Sequence, residues 1–204
     1  MGWVMHGLIN RSLQCFVSDT YGTQAWAVVA RNALVDVQGF EAMLDYDDVV
    51  THRLVASMAD FLDKPAKAVL EDVGTYLVTH NNTQSIRRLL RFGGDTYVEF
   101  LLSLDDLHDR VMLAVPDLQF PQLELMQEQA GQFTLYLRHA HPDFAYVFVG
   151  VLRALADDYG ALVLLEPVEA ADGACVLDIR LADVRFSEGN AFSLCSSAQQ
   201  KGAA

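Results

Sequence analysis

Apolar side chains along the first 115 residues recur every three or four positions, and beyond Pro116 they alternate or run together. In MHGLINRSLQCFVSDTYG, Ile9, Leu13, Phe16 and Val17 fall on one helical face. The polar Ser-Asp-Thr before Gly22 predicts the end of that helix. A second helix is predicted from Gln24 to Ala33. A third follows through DDVVTHRLVASMADFL, where the Asp47 carboxylate can accept from first-turn amides as an N-cap. KPAKAVLEDVGTYLVTH predicts a fourth, with Pro65 near its first turn, and TQSIRRLLRF a short fifth closed by Gly93 and Gly94. YVEFLLSLDDLHDRVMLAV reads as one long helix. It must stop near Val115, because Pro116 has no amide hydrogen with which to continue it.

After Pro116 the period shortens to two. FPQLELMQEQ, QFTLYLRHAH, GALVLLEPV and GACVLDIRLADVRF read as strands, and PDFAYVFVGVLRALADDYG, between the second and third, as a helix broken at Gly160. Helices followed by β-β-α-β-β predict an α+β fold. An N-terminal helical subdomain packs on a C-terminal subdomain with a four-stranded antiparallel sheet and helices. The chain is expected to form one domain over residues 1–190, helical over about 5–65 and α/β over about 66–190, with 191–204 as a flexible tail.

Composition narrows the function classes. Apolar residues make up 52% of the 204, enough for a large core and an internal apolar cavity besides. Fourteen Lys and Arg against 27 Asp and Glu leave a formal charge of −13, which excludes a nucleic-acid binder and an anionic membrane surface. The same charge suits docking on a basic patch of a partner protein. The longest apolar run, FAYVFVGVL, is about half of the roughly 20 residues a membrane span needs. The N-terminus lacks the basic and apolar regions of a signal peptide. Cys15, Cys175 and Cys195 are odd in number and far apart, which favours a reducing, cytoplasmic setting.

One residue stands out chemically. Tyr97, Leu101, Leu104, His108, Val111 and Val115 step by four and three along one helical face, so His108 points inward with the leucines. A buried neutral imidazole must satisfy both ring nitrogens, which leaves two readings open. It is a core histidine, bonded to Asp105 or a backbone carbonyl, or it is a ligand. Asp105, Asp106 and Asp109 read as the solvated face of its helix, and Asp157-Asp158 as a charged helix end. His52 follows Asp47 and Asp48 by one turn but has no second histidine at ligand spacing. His6 reads as a cap or surface residue. Cys175 and Cys195 pairing, or binding zinc with His139 and His141, is the weakest candidate. With no P-loop, GxSxG or nucleophile–base pair, the chain reads as a non-enzyme.

SLDDLHDRV followed by VPDLQFP resembles the proximal-histidine helix of the haem–nitric oxide/oxygen binding (H-NOX) family, which includes bacterial gas sensors and the haem domain of soluble guanylate cyclase. MHGLINRSLQCFV resembles the family's opening helix, LEDVGTYLV with RRLLRFGGDTYVEFL its middle, and GVLRALADDYG the helix after its second strand. The likeness covers residues 5–188. It implies that His108 ligates the iron of haem b, in keeping with the use of imidazole as a proximal ligand, and that Pro121 presses on and distorts the haem.

The chain departs from the family at the propionate clamp. Tyr-x-Ser-x-Arg is replaced at Leu137, His139 and His141. Positions i, i+2 and i+4 share a strand face, so both histidines could still meet propionates if protonated, though without arginine's fork. Arg138 falls on the opposite face. The distal positions align with Leu13, Leu77 and Val147, the last replacing the tyrosine used by oxygen binders; Tyr146 is its neighbour. An apolar distal side implies preference for NO and CO over oxygen. The resemblance therefore implies a haem-based NO sensor that signals, with no output domain in this chain, to a separate partner such as a histidine kinase or a cyclic-di-GMP enzyme. The alternative is a haem-free interaction module of the same fold, or a binder of another apolar ligand in the same cavity.

Overall fold

Local signals at the chain's start set the first helices. Helix α1 (Gly7–Tyr21) begins where the His6 imidazole accepts the Leu8 amide at 3.3 Å, and ends at Gly22, whose φ of 93° favours a residue without Cβ. Helix α2 (Thr23–Asn32) follows, then α3 (Asp48–Leu62), whose Val49 amide is taken by Asp47 at 3.1 Å. Helix α4 (Ala66–Thr79) starts after Pro65. The computed structural model describes residues 4–91, 93–138, 144–169, 175–184, 186 and 189. His139, His141, Cys195 and the 191–204 segment lie outside the described residues.

The sequence pattern misses a small sheet. Strands β1 (Val4–His6) and β2 (Asp45–Asp47) pair antiparallel with Met5 opposite Tyr46. Three residues are too few for alternation to register. His6 is consequently a cap, but it is buried rather than at the surface.

Helices α5 (Gln84–Arg91), α6 (Tyr97–Leu102) and α7 (Leu107–Ala114) follow. The predicted single helix over 97–115 is therefore two, joined by a 3₁₀ turn at Ser103–Asp106. Thr96 and Glu99 form a capping box at the start of α6, and Ser103 bonds back to the Phe100 carbonyl at 2.7 Å. Ser and Asp side chains compete for backbone groups, which favours such a tight turn in place of a continuous helix. Asp158 also departs from expectation. It is buried, with both oxygens taken by Arg87 of α5 at 2.7 and 2.8 Å.

Strands β3 (Gln122–Gln129) and β4 (Gln132–Arg138) form a hairpin. Helix α8 (Phe144–Tyr159) leads to β5 (Leu162–Glu169) and β6 (Cys175–Asp183). The sheet order is β3-β4-β6-β5, antiparallel throughout, as the pattern predicted. Phe133, Leu135 and Leu137 face the core, while Thr134, Tyr136 and Arg138 face out. Strand β5 is an edge, with Leu164 and Val168 exposed and Pro167 between them. Among the described residues no helix is long and apolar enough to cross a membrane.

Two cores result. Helices α1 to α4 enclose one around Leu54, Met58 and Val73, and α5 to α8 with the sheet enclose the other around Phe100, Leu152 and Leu177. They meet where α4 crosses α8. A methyl at Gly74 would overlap the Val147 carbonyl, and one at Gly150 would overlap the Glu71 carbonyl. Either glycine to alanine must push the backbones apart, so Gly150→Ala should cost about 2 kcal/mol, read as a lower urea midpoint.

The first core is also tied at its rim. Tyr76 donates to Asp19 at 2.6 Å, Asn82 donates to the same oxygen at 2.9 Å, and the His80 ring stands 3.7 Å away. These contacts, the Tyr76 bond foremost, hold the Asp19 carboxyl below its ordinary range, whereas burial and then Asp19 push the Tyr76 hydroxyl up. A depressed carboxyl stabilises the fold above its unfolded pKa, about 3.9, and loses that contribution as pH falls through the folded value. Asp19→Asn should therefore lower stability at pH 7 and flatten its fall below about pH 4, as measured by urea midpoints across pH.

Candidate functional site

The 3₁₀ turn before α7 decides how His108 is presented. A 3₁₀ segment rotates about 20° more per residue than an α-helix, so the apolar stripe slips in phase. Leu101, Leu104 and Val111 are buried as predicted, but Leu107 takes the innermost position and His108 moves to the flank, half-buried. There its Nδ1 lies 3.2 Å from the Pro121 carbonyl oxygen. A carbonyl only accepts, so Nδ1 carries the hydrogen, and in the neutral ring the lone pair then falls on Nε2. This is the arrangement that orients a histidine for metal ligation, with the ring's second nitrogen held by the backbone. His108 and Pro121, thirteen residues apart, thus form one unit.

Three further bonds fix α7 and the 3₁₀ turn before it. Arg110 donates to the Leu89 carbonyl at 3.0 Å and the Ser103 carbonyl at 2.8 Å, satisfying the ends of two helices. Asp105 does not bond His108. Its Oδ1 accepts the Leu125 amide at 2.7 Å and so covers a donor on the edge strand β3. Asp106 and Asp109 are exposed, and among the described residues no group of three or more His, Cys, Asp or Glu side chains is placed to hold a metal.

The three positions that the resemblance marks as distal come together beside the α4–α8 crossing. Leu13, Leu77 and Val147 line one cavity of about 120 Å³, with Met5, Ile9, Val55, Leu70 and Val73. Tyr146 does not enter it. That ring packs against the first core under the Lys67 ammonium, 4.9 Å away. The cavity's polar lining is Ser12, Thr51 and His52. Sequence reasoning missed these three because it weighed His52 only as a ligand among carboxylates. No motif marks them; only the packing of α3 against α1 and α4 does.

Not every residue fits the cofactor the resemblance implies. The proximal side fits: His108 offers a lone pair in a fixed tautomer, backed by a buried Pro121. The clamp side does not. Leu137 is 1% exposed in the sheet core, opposite Cys175, and offers no donor. Arg138 is exposed on the outer face and paired with Glu124 at 2.6 Å. The cavity is also smaller than the roughly 300–1,000 Å³ of sites for larger ligands, though ample for a diatomic molecule.

A helical subdomain over a four-stranded antiparallel sheet, with a backbone-anchored histidine and an apolar cavity beside the crossing helices, defines an α+β ligand-binding domain. A family model described as Haem-NO-binding matches residues 6–166. The chain belongs to that family, the H-NOX domains. An H-NOX protein from S. oneidensis in the Fe(II)NO ligation state shares the fold with a TM-score of 0.72 at 17% identity, over 88% of this chain and all of that one. An oxygen-binding H-NOX domain related to soluble guanylate cyclases does so at 0.67 and 18% identity, over 92% of this chain and 100% of that one.

Among curated proteins, soluble guanylate cyclase gcy-31 of Caenorhabditis elegans is 23% identical over 154 residues, 76% of this chain and 22% of that protein. Soluble guanylate cyclase 89Db of Drosophila melanogaster is 19% identical over 172 residues, 84% and 26%. The chain thus spans about a quarter of the length of these relatives.

The Asp105 bond is open to direct test. Asp105→Ala should speed hydrogen exchange at Leu125 and cost about 1 kcal/mol of stability, with β4 amides unaffected.

Proposed function

We propose that the chain is a haem-dependent nitric oxide sensing domain in which His108 is the iron ligand. The bond from His108 Nδ1 to the Pro121 carbonyl carries this reading, since it leaves Nε2 available and the ring fixed. Haem, when bound, would supply a ferrous iron to which NO or CO ligates. The protein's part is to hold His108 on α7, to tie α7 to Pro121 just before β3 and the preceding turn to β3 through Asp105, and to keep hydrogen-bond donors away from Leu13, Leu77 and Val147. Without a distal donor, oxygen gains little, so NO and CO are the expected ligands. Movement of α7 would reach the sheet through those ties. A separate bacterial, cytoplasmic partner, a histidine kinase or a cyclic-di-GMP enzyme, would read it. His139 and His141 are proposed to face the propionates in place of the clamp.

Haemin titration tests the reading. Wild-type protein should develop a Soret band, and His108→Ala should weaken haem binding at least tenfold or shift the band. Equal spectra would remove His108 from the role. Once reduced, the haem-loaded protein should bind CO and NO but stay ferrous and unliganded in oxygenated buffer.

A second reading is favoured by Leu137 and by the size of the cavity: a haem-free member that keeps the fold as an interaction or apolar-ligand module. Protein purified without colour that ignores added haemin would establish it over the first.

A further inference from the structure

The cavity's two hydroxyls have a single chemical sense. Ser12 Oγ donates to the Leu8 carbonyl at 2.8 Å, and Thr51 Oγ1 donates to Asn10 Oδ1 at 2.7 Å. Each hydroxyl has one hydrogen, and both are committed to acceptors outside the cavity, so what remains toward it is lone pairs. At the third polar residue, His52 Nδ1 lies 2.9 Å from the Asp48 carbonyl. The opposite wall, Leu13, Leu77 and Val147, is apolar. His52 is exposed yet lines the cavity, so the polar end is its mouth, between α1 and α3.

We propose that this cavity binds a small, uncharged, largely apolar molecule carrying one hydrogen-bond donor, such as a short-chain alcohol, with its hydroxyl given to Thr51 or Ser12. At about 120 Å³ the space is near that of the roughly 150 Å³ apolar cavity known to accept benzene or xenon. A molecule with only acceptors would leave its polar atom facing lone pairs, which costs affinity. The site needs no iron and no part of His108. It therefore goes beyond the gas-sensing reading and gives the haem-free reading a ligand class.

Two isomers make the test. 1-Propanol and methoxyethane have the same atoms and nearly the same volume, and only the alcohol donates. The haem-free full chain, labelled at its Ile, Leu and Val methyl groups, is titrated with each and with xenon. All three should shift the methyl resonances of Ile9, Leu13, Leu77 and Val147, with the alcohol binding about tenfold tighter than the ether.

Thr51→Val should bring the alcohol to the level of the ether and leave ether and xenon unchanged, and Val147→Trp should abolish all three. Equal affinity for the isomers in wild type, or methyls unmoved by any of the three, overturns the proposal. Haemin is then added to the same sample. A missing Soret band with the alcohol shifts intact defeats the haem reading alone, and a Soret band without those shifts defeats this one alone.

Discussion

Everything in this molecule is arranged around the crossing of α4 and α8. Gly74 and Gly150 each face a carbonyl of the other helix, so the two backbones are nearly in contact. That closeness sets where the two cores lie, because α4 belongs to one and most of α8 to the other. It also sets the apolar cavity, whose wall includes Leu77 and Val147 from the crossing helices. Arg153 with Glu71 adds an exposed pair across the same seam, but steric fit rather than charge fixes the approach, since exposed pairs contribute little.

Where a residue pattern repeats over many positions, it is legible in the sequence. The helices of the first half, the four-stranded sheet and the burial of Leu101, Leu104 and Val111 all follow from periodicity over ten or more residues. His108 and Pro121 are legible because family likeness marks both, and the bond between them adds a reason neither position gives alone. What stayed hidden rests on contacts distant in sequence. Asp158 looks like a solvated helix end until Arg87, 71 residues away, is placed against it. Asp105 looks solvated until β3 arrives beside it. The 3₁₀ turn needs only four residues to slip the phase of a stripe read as one helix, which is why Leu107 and His108 exchange places in the core.

The proximal and clamp sides therefore carry different weights. One histidine, one carbonyl and one proline suffice to present a lone pair, and all three are in place. A clamp needs cations on one strand face, and the described end of that face is Leu137, committed to the sheet core. The ligand role proposed for His108 and the clamp positions rest on separate elements, α7 and β4, so one can be kept while the other changes.

Strand β5 has a further consequence through Pro167. The strand lies at the sheet's edge with Leu164 and Val168 exposed, and an edge offers unpaired backbone groups to which a second strand can pair. Proline has no amide hydrogen, so any chain laid along β5 would find no donor at Pro167, two residues before the strand's end. The edge thus resists templating fibrillar association. The molecule can keep an apolar strand at its border without inviting copies of itself to extend the sheet.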